Sequence, residues 1–171
     1  MNVPAAAATI LLAVLAGSTT ARASDSCLVG HWEPQGNAMA EWLGKQHPQM
    51  AVHAPPAQAR LSLNADGSYA STAAGAASTR SGEVTASMQG RFASSGRWRT
   101  EGNMLHLLPT QASNQARMQL DGPGTSARMQ VPPAVAGGSV QWAYRCSGNR
   151  METHQRLPGS NDVVIQPYLR K

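Results

Sequence analysis

"GRWRTEGNMLHLLP", residues 96–109, predicts two β-strands joined by a tight turn. The first strand carries Trp98, the turn is Glu-Gly-Asn, and Leu105 and Leu107 alternate along the second strand. Apolar residues at every second position are typical of a strand with one buried face, and Gly and Asn suit the backbone of a hairpin turn. The stretch therefore indicates a hairpin with an apolar inner face.

The same design recurs along the chain. Further hairpins are predicted at residues 59–73, 115–131 and 140–157, each around a glycine-containing turn. Residues 162–169 predict a last strand, placed at a sheet edge because Pro167 cannot donate to an interior ladder. Short strands at roughly 8–12-residue spacing indicate an all-β barrel or sandwich.

One segment near the start has a helical rather than a strand pattern. Residues 36–47 place Met39, Trp42 and Leu43 at i, i+3, i+4 spacing, and Asn37 is a candidate N-cap. Such an apolar stripe more often closes a core than gates a ligand site. We predict one short helix that could cap an open barrel end.

The cysteine count favours a disulfide. Cys27 and Cys146 are the two cysteines of the chain, and an isolated pair in an exported protein most simply forms one bridge. The alternative, two free thiols for redox chemistry, lacks a C-x-x-C spacing. A bridge here would close a loop of nearly the whole domain.

The sequence predicts the path of the chain in two further regions. Residues 34–58 form an insertion of helix plus proline-containing linker, and we expect it to act as a crossover that brings Cys27 and Cys146 to the same rim. Residues 71–87 are small, polar and glycine-containing, and they predict a flexible hairpin loop or a ragged edge.

The first 23 residues predict a cleaved secretory signal of the bacterial Sec type. A short apolar run ends in an A-x-A box at residues 21–23, which places the cleavage before Ser24. The run is too short to span a bilayer. Cys27 lies too far from the small-residue box for lipid attachment. We therefore predict a periplasmic or secreted protein that does not span the membrane.

The remaining residues, 24–171, predict a single domain with a scattered positive charge. Without Arg22 they hold 13 basic and 9 acidic residues, a net charge of +4 (13 − 9). Single, dispersed charges are typical of a solvated surface. We expect no nucleic-acid partner.

Motifs for catalysis are absent from the sequence. It has no nucleophile elbow, zinc-protease helix, phosphate loop or dinucleotide fingerprint, and its few acidic residues are dispersed. We predict a protein that is not an enzyme and that needs no cofactor.

The sequence does not predict a metal site near the start of the chain. His47, Met50 and His53 offer imidazole and thioether, ligands that suit Cu(I) in an exported protein. Pro48 interrupts the segment, however, and the spacing fits none of the standard short signatures.

The order of four stretches resembles a known family. "LVGHW" (28–32), "LNADGSY" (63–69), "GRWRTEGNMLHL" (96–107) and "YRCSGNRM" (144–151) are similar to bacterial exported proteins of the lipocalin-like, or calycin-type, kind. The resemblance implies a small antiparallel up-and-down barrel with the helical insertion after its first strand. It also implies a tryptophan at the closed end with a late-strand arginine across it; the signature residues would be Gly30, Trp32, Trp98, Tyr144 and either Arg156 or Arg145.

Two functions follow from this reading. The first is a non-enzymatic binding barrel for a small apolar or amphipathic molecule, with a cavity or lid formed by Met39, Trp42, Leu43, Met104, Met118 and Trp142. The second is an interaction module or inhibitor for another envelope protein, with a solid barrel core and a rim loop as its contact surface. Whether the barrel interior is hollow or filled distinguishes them.

Overall fold

The computed structural model describes residues 25–55, 58–132 and 138–171. The predicted signal, residues 1–23, lies outside them. The described elements are a 3₁₀ helix Ser26–Leu28, α1 Ala38–Gln46 and the strands β1 Gly30–Pro34, β2 Ala51–His53, β3 Gln58–Leu63, β4 Ser68–Ser81, β5 Val84–Glu101, β6 Met104–Asn114, β7 Arg117–Gly122, β8 Thr125–Gln130, β9 Val140–Ser147, β10 Arg150–Arg156 and β11 Val163–Arg170.

Eight strands close into an antiparallel barrel. The ring runs β1, β3, β4, β5, β6, β9, β10, β11, and β11 pairs back onto β1. The predicted all-β barrel, with a short helix after the first strand, is confirmed. The hairpins at 59–73, 96–109, 115–131 and 140–157 are each present; the last two match their expected bounds within a few residues, whereas β4 continues to Ser81 and β5 begins at Val84.

The core fills one end of this barrel. Leu61 and Leu63 on β3, Leu105 and Leu107 on β6, and Trp98 on β5 all point inward, because their positions alternate along their strands. They are at most 4% exposed. The complete cluster is Leu28, Trp32, Leu61, Leu63, Tyr69, Trp98, Leu105, Leu107, Tyr144 and Met151.

The β4–β5 hairpin is longer than the barrel wall. Its register is unbroken from Ser68↔Arg97 to Ser81↔Val84. The barrel neighbours β3 and β6 reach only to Ala74 and to Phe92. Beyond them β2 pairs with β4, β7 pairs with β5, and β8 pairs with β7. We call this projecting sheet the wing: residues 75–90 together with β2, β7 and β8.

The structure of residues 71–87 differs from the prediction. They form ordered strand rather than a flexible loop, and Gly82, with φ of 59°, makes the turn. The segment lacks apolar alternation, so its own sequence carries no strong strand signal. Strands that pair on both sides of the hairpin supply the hydrogen bonds that hold it extended.

Helix α1 forms where the sequence predicts it. The Asn37 side chain accepts a hydrogen bond from the backbone N–H of Ala40 at 3.1 Å, so the N-cap prediction is confirmed. The helix packs against β11 and β2. The expected crossover is wrong, however, because β1 and β3 are antiparallel neighbours, so the insertion joins them as a long reversal. Cys27 and Cys146 share a rim through reversals alone.

The last strand closes the barrel instead of lying at an edge. β11 pairs with β10 on one side and with β1 on the other. Pro167 is tolerated because β1 ends at Pro34, where the Gln35 N–H donates to the Pro167 carbonyl at 2.8 Å. The Gln166 side chain then donates to the Gln35 carbonyl at 3.0 Å, in place of the N–H that proline lacks.

Candidate functional site: the closed-end clasp and the apolar face of the wing

An arginine covers Trp32 at the closed end, and it is Arg170. Its guanidinium carbon lies 4.6 Å from the centroid of the Trp32 ring. Its two terminal nitrogens donate to the carbonyls of Val29 at 2.9 Å and of Cys27 at 2.6 Å. The two expected candidates are wrong, because Arg145 and Arg156 are exposed on β9 and β10.

The predicted disulfide joins the same end of the barrel. Cys27 and Cys146 are bonded, with their Cα atoms 6.0 Å apart. This bridge ties the chain before β1 to the end of β9, and it indicates an oxidising, extracytoplasmic compartment. The Trp32 indole donates to the Leu28 carbonyl at 2.7 Å, so the first strand is fixed at both faces.

Tyr144 adds a polar contact to this clasp. Its hydroxyl donates to a carboxylate oxygen of Asp25 at 3.0 Å. Burial, and next the adjacent carboxylate, raise the pKa of Tyr144 to about 12. Trp98 is buried nearby and donates from its indole to the Asn64 carbonyl at 2.9 Å. Gly30, with φ of 149°, leaves room for the Arg170 side chain 3.5 Å from where a Cβ would stand. These contacts hold the barrel end together and face no open site.

The residues predicted to line a cavity do not come together. Trp142 packs against the core, whereas Met104 alternates to the opposite side of β6 from the buried Leu105. Met118 lies on β7 in the wing. The remaining three, Met39, Trp42 and Leu43, lie on α1, where Met39 is 40% exposed and the other two are half-buried.

Sequence reasoning missed an apolar face that runs from Phe92 at the open end of the barrel onto the wing. On β5 the residues at even positions continue the inward side that carries the buried Trp98, so Phe92, Met88 and Val84 point the same way. Register adds Met118 opposite Met88, Leu120 opposite Ala86, and Met129 opposite Met118. We call this set the apolar face: Val84, Met88, Phe92, Met118, Leu120 and Met129.

The apolar face is open to solvent. Val84 is 43% exposed, Met88 37%, Phe92 38%, Leu120 38% and Met129 53%. They are five of the nine large hydrophobic side chains exposed among the described residues. Contiguous exposed apolar side chains are a common feature of interaction sites and ligand-binding grooves.

The opposite side of the wing is polar. Asp121 accepts from the side-chain amide of Gln119 at 2.9 Å and from the hydroxyl of Ser126 at 2.7 Å. These hydrogen bonds lower the pKa of Asp121 below its usual range, so its carboxylate stays charged. Arg128 donates to Gln119 at 3.2 Å and completes the network. The wing is therefore an amphipathic sheet.

Three clefts lie around the wing and the open end of the barrel. Their volumes are about 760, 810 and 540 Å³. The first, the wing cleft, includes Met88, Met118 and Met129 in its lining, but most of its lining residues, such as Gln119, Arg128 and His53, lie on the polar side of the sheet by register. The second is lined by residues that include Phe92 and Ala73. No residue of the buried core lines any of the three, so their space lies outside the filled end of the barrel.

Two histidines among the described residues lie near a glutamate carboxylate, His106 near Glu101 and His154 near Glu152. His106 is 8% exposed, and its Nε2 lies 3.7 Å from a carboxylate oxygen of Glu101, a surface residue. In ranges 25–55, 58–132 and 138–171 no three of His, Cys, Asp and Glu are grouped as metal ligands. Across the same ranges no helix has the length and apolar character needed to cross a bilayer.

Comparison with known proteins gives no relative. No family model, no curated protein and no solved structure matches the chain.

Proposed function

We propose that this protein is an exported, non-enzymatic binding protein that takes a small apolar or amphipathic molecule on the apolar face of the wing. The observation that carries the proposal is the exposure of five large apolar side chains on the side of the sheet that continues the barrel interior. Burying them against a ligand would remove their surface from water, at about 25 cal/mol per Å².

The composition of the face suits a ligand of variable shape. Met88, Met118 and Met129 are unbranched and flexible, so their side chains adapt to different apolar surfaces. Phe92 adds one rigid ring towards the open end of the barrel.

Export is part of the proposal and rests on two observations. The Cys27–Cys146 bridge fits an oxidising compartment, and the first 23 residues have the pattern of a secretory signal. The filled core at the closed end supports a barrel interior that binds no ligand. The site therefore belongs to the wing and the open end, not to a deep barrel cavity.

The test is a titration of the mature protein with an apolar fluorescent probe such as N-phenyl-1-naphthylamine. Met129→Glu places a charge on the apolar face and is expected to weaken probe binding by about tenfold or more. Ile165→Glu is the matched control, because Ile165 is 47% exposed on β11, away from the wing, whereas Met129 is 53% exposed. Equal binding by both variants, or no binding by the wild type, would overturn the proposal.

Native mass spectrometry gives a second readout. Protein secreted by its own signal is expected to carry a small-molecule adduct that Met129→Glu loses. A wild-type spectrum of bare protein at every gentle desolvation setting counts against a tightly bound native ligand.

The filled core favours a second candidate, an envelope inhibitor or accessory subunit with a solid barrel. Its contact surface would be the same apolar face, because five large apolar side chains are exposed there. Cross-linking in an envelope extract at low salt distinguishes the two functions. A single protein partner that Met129→Glu loses and Ile165→Glu keeps, with no small-molecule adduct, supports this candidate over the first.

A further inference from the structure

The geometry points to a binding site for a soft monovalent metal ion, Cu(I), formed by the thioethers of Met88, Met118 and Met129. This inference goes beyond the binding of an apolar molecule, because it assigns the three sulfur atoms a role that carbon side chains cannot perform. It also differs from the motif around His47 and Met50, which the sequence offered and which we did not predict as a site.

Register places the three methionines side by side. Met88 on β5 is the direct partner of Met118 on β7, and Met118 is the direct partner of Met129 on β8. Direct partners in an antiparallel sheet point to the same face, with Cβ atoms about 5 Å apart. Met118 is thus the middle of a straight row of three thioethers across three strands.

The row is compact enough for one ion. The two outer strands, β5 and β8, are about 10 Å apart, twice the spacing of neighbouring strands. Each methionine sulfur lies two bonds beyond its Cβ on a freely rotating chain. The outer side chains can therefore lean inward from both sides, and their sulfurs meet above Met118. The exposure of Met88 and Met129 leaves this position open to an ion from solvent.

The chemistry of the donors selects the ion. Thioether sulfur is a soft, uncharged ligand that suits Cu(I) and not hard cations such as Mg²⁺ or Ca²⁺. Both cysteines of the chain are in the disulfide, so no thiolate competes for the ion. By register His53 lies on the polar side of the wing, in one row with Gln119 and Arg128, so it is not counted among the ligands. Arg117 and Arg128 alternate to the polar side of the wing, so their positive charges face away from the row.

The choice of residue supports a ligand role over simple packing. β-Branched and aromatic side chains are favoured on a strand, and Val84 and Phe92 on β5 follow that preference. Methionine side chains are flexible, so three of them in one row leave an exposed strand surface without fixed side-chain conformations. A Met→Leu substitution keeps nearly the same volume and apolar area but removes the sulfur, and it therefore separates metal binding from apolar binding.

The experiment is an anaerobic competition between the mature protein and the chromophoric Cu(I) chelator bicinchoninate, with ascorbate to keep the copper reduced. We expect one Cu(I) per wild-type chain, at least tenfold weaker binding by Met118→Leu, and loss of binding by the triple variant Met88→Leu/Met118→Leu/Met129→Leu. Met39→Leu is the matched control, because Met39 is 40% exposed on α1 and lies outside the row.

X-ray absorption at the copper edge gives an independent readout. Sulfur scatterers in the wild-type complex, lost in the triple variant, are expected. Wild-type binding that equals the triple variant, or an equal loss in Met39→Leu, would overturn the inference. The apolar-probe titration of the wild-type protein tests the proposed function without copper, so failure of the copper site and failure of the proposed function are separate results.

Discussion

The Arg170 guanidinium lies 4.6 Å from the Trp32 ring centroid, and the two residues are direct register partners on β11 and β1. The last strand therefore places the cation that covers the tryptophan of the first strand. Arg170 also donates to the carbonyls of Cys27, Val29 and Gly148. One side chain of the last strand therefore joins the chain before β1 to the turn between β9 and β10.

Removal of this side chain is expected to destabilise the barrel strongly. Arg170→Ala loses a cation–π contact and charged hydrogen bonds, which leaves the partly buried carbonyls of Cys27 and Val29 without these donors, so we expect a loss of about 2–4 kcal/mol in the free energy of unfolding. Urea denaturation of the mature protein measures it. Arg156→Ala, on an exposed site, is the control and should change stability by less than about 0.5 kcal/mol. Equal effects of the two variants would contradict the role given to Arg170.

The disulfide is expected to contribute a comparable amount. Cys27 and Cys146 are separated by 119 residues in sequence. In the chain-entropy model a loop of this length stabilises by about 5 kcal/mol, and measured losses for native bridges are about 2–5 kcal/mol. Cys27→Ser/Cys146→Ser should therefore lower the urea midpoint without moving strand circular dichroism in water. An unchanged midpoint would show that contacts such as Arg170 with Trp32 already fix this end.

The closed end was the predictable part of the fold. Its turns carry Gly and Asn, and its strands carry alternating Trp and Leu, which are local signals. The disulfide followed from the cysteine count. Arg170 was missed because the choice among arginines depends on which residue faces Trp32 across β1 and β11. The sequence of either strand alone does not determine that register.

The wing and its apolar face were the unpredictable part. Residues 71–87 contain Ala, Ser, Thr and Gly with little alternation, so no local pattern marks them as strand. Their extended form depends on β2 and β7, which come from distant parts of the chain. The methionine row needs the register of β5, β7 and β8 together, whereas the sequence shows only that "ARMQL" and "ARMQV" are similar arms.

Two glycine-to-alanine substitutions should change the free energy of unfolding in opposite directions. A Cβ at Gly90 would stand 2.5 Å from both Cα and Cβ of Ala116, which is 0% exposed at the start of the wing. Gly90→Ala must therefore push β7 away from β5, at an expected cost of about 1–3 kcal/mol. Gly44→Ala lies in α1 with nothing within 4 Å and should stabilise by about 0.4–1 kcal/mol. Urea midpoints of the two variants measure both effects. Gly90→Ala at wild-type stability would mean that the wing is not packed as described.

Alkaline pH is expected to weaken the clasp through Tyr144. Its pKa is raised to about 12 in the folded protein by burial and by the Asp25 carboxylate, against 10 for an ordinary tyrosine. Between these two values the unfolded chain has lost the phenol proton that the folded chain still holds, so the free energy of unfolding falls as pH rises. The stabilisation is fully present below pH 10 and is lost towards pH 12.

Urea titrations across this window should show a steeper fall for the wild type than for Tyr144→Phe, because the variant has no proton to lose at this site. Tyrosinate absorbance should show the matching late step, absent from Tyr144→Phe. Parallel stability curves for the two proteins would mean that folding does not raise the pKa of Tyr144.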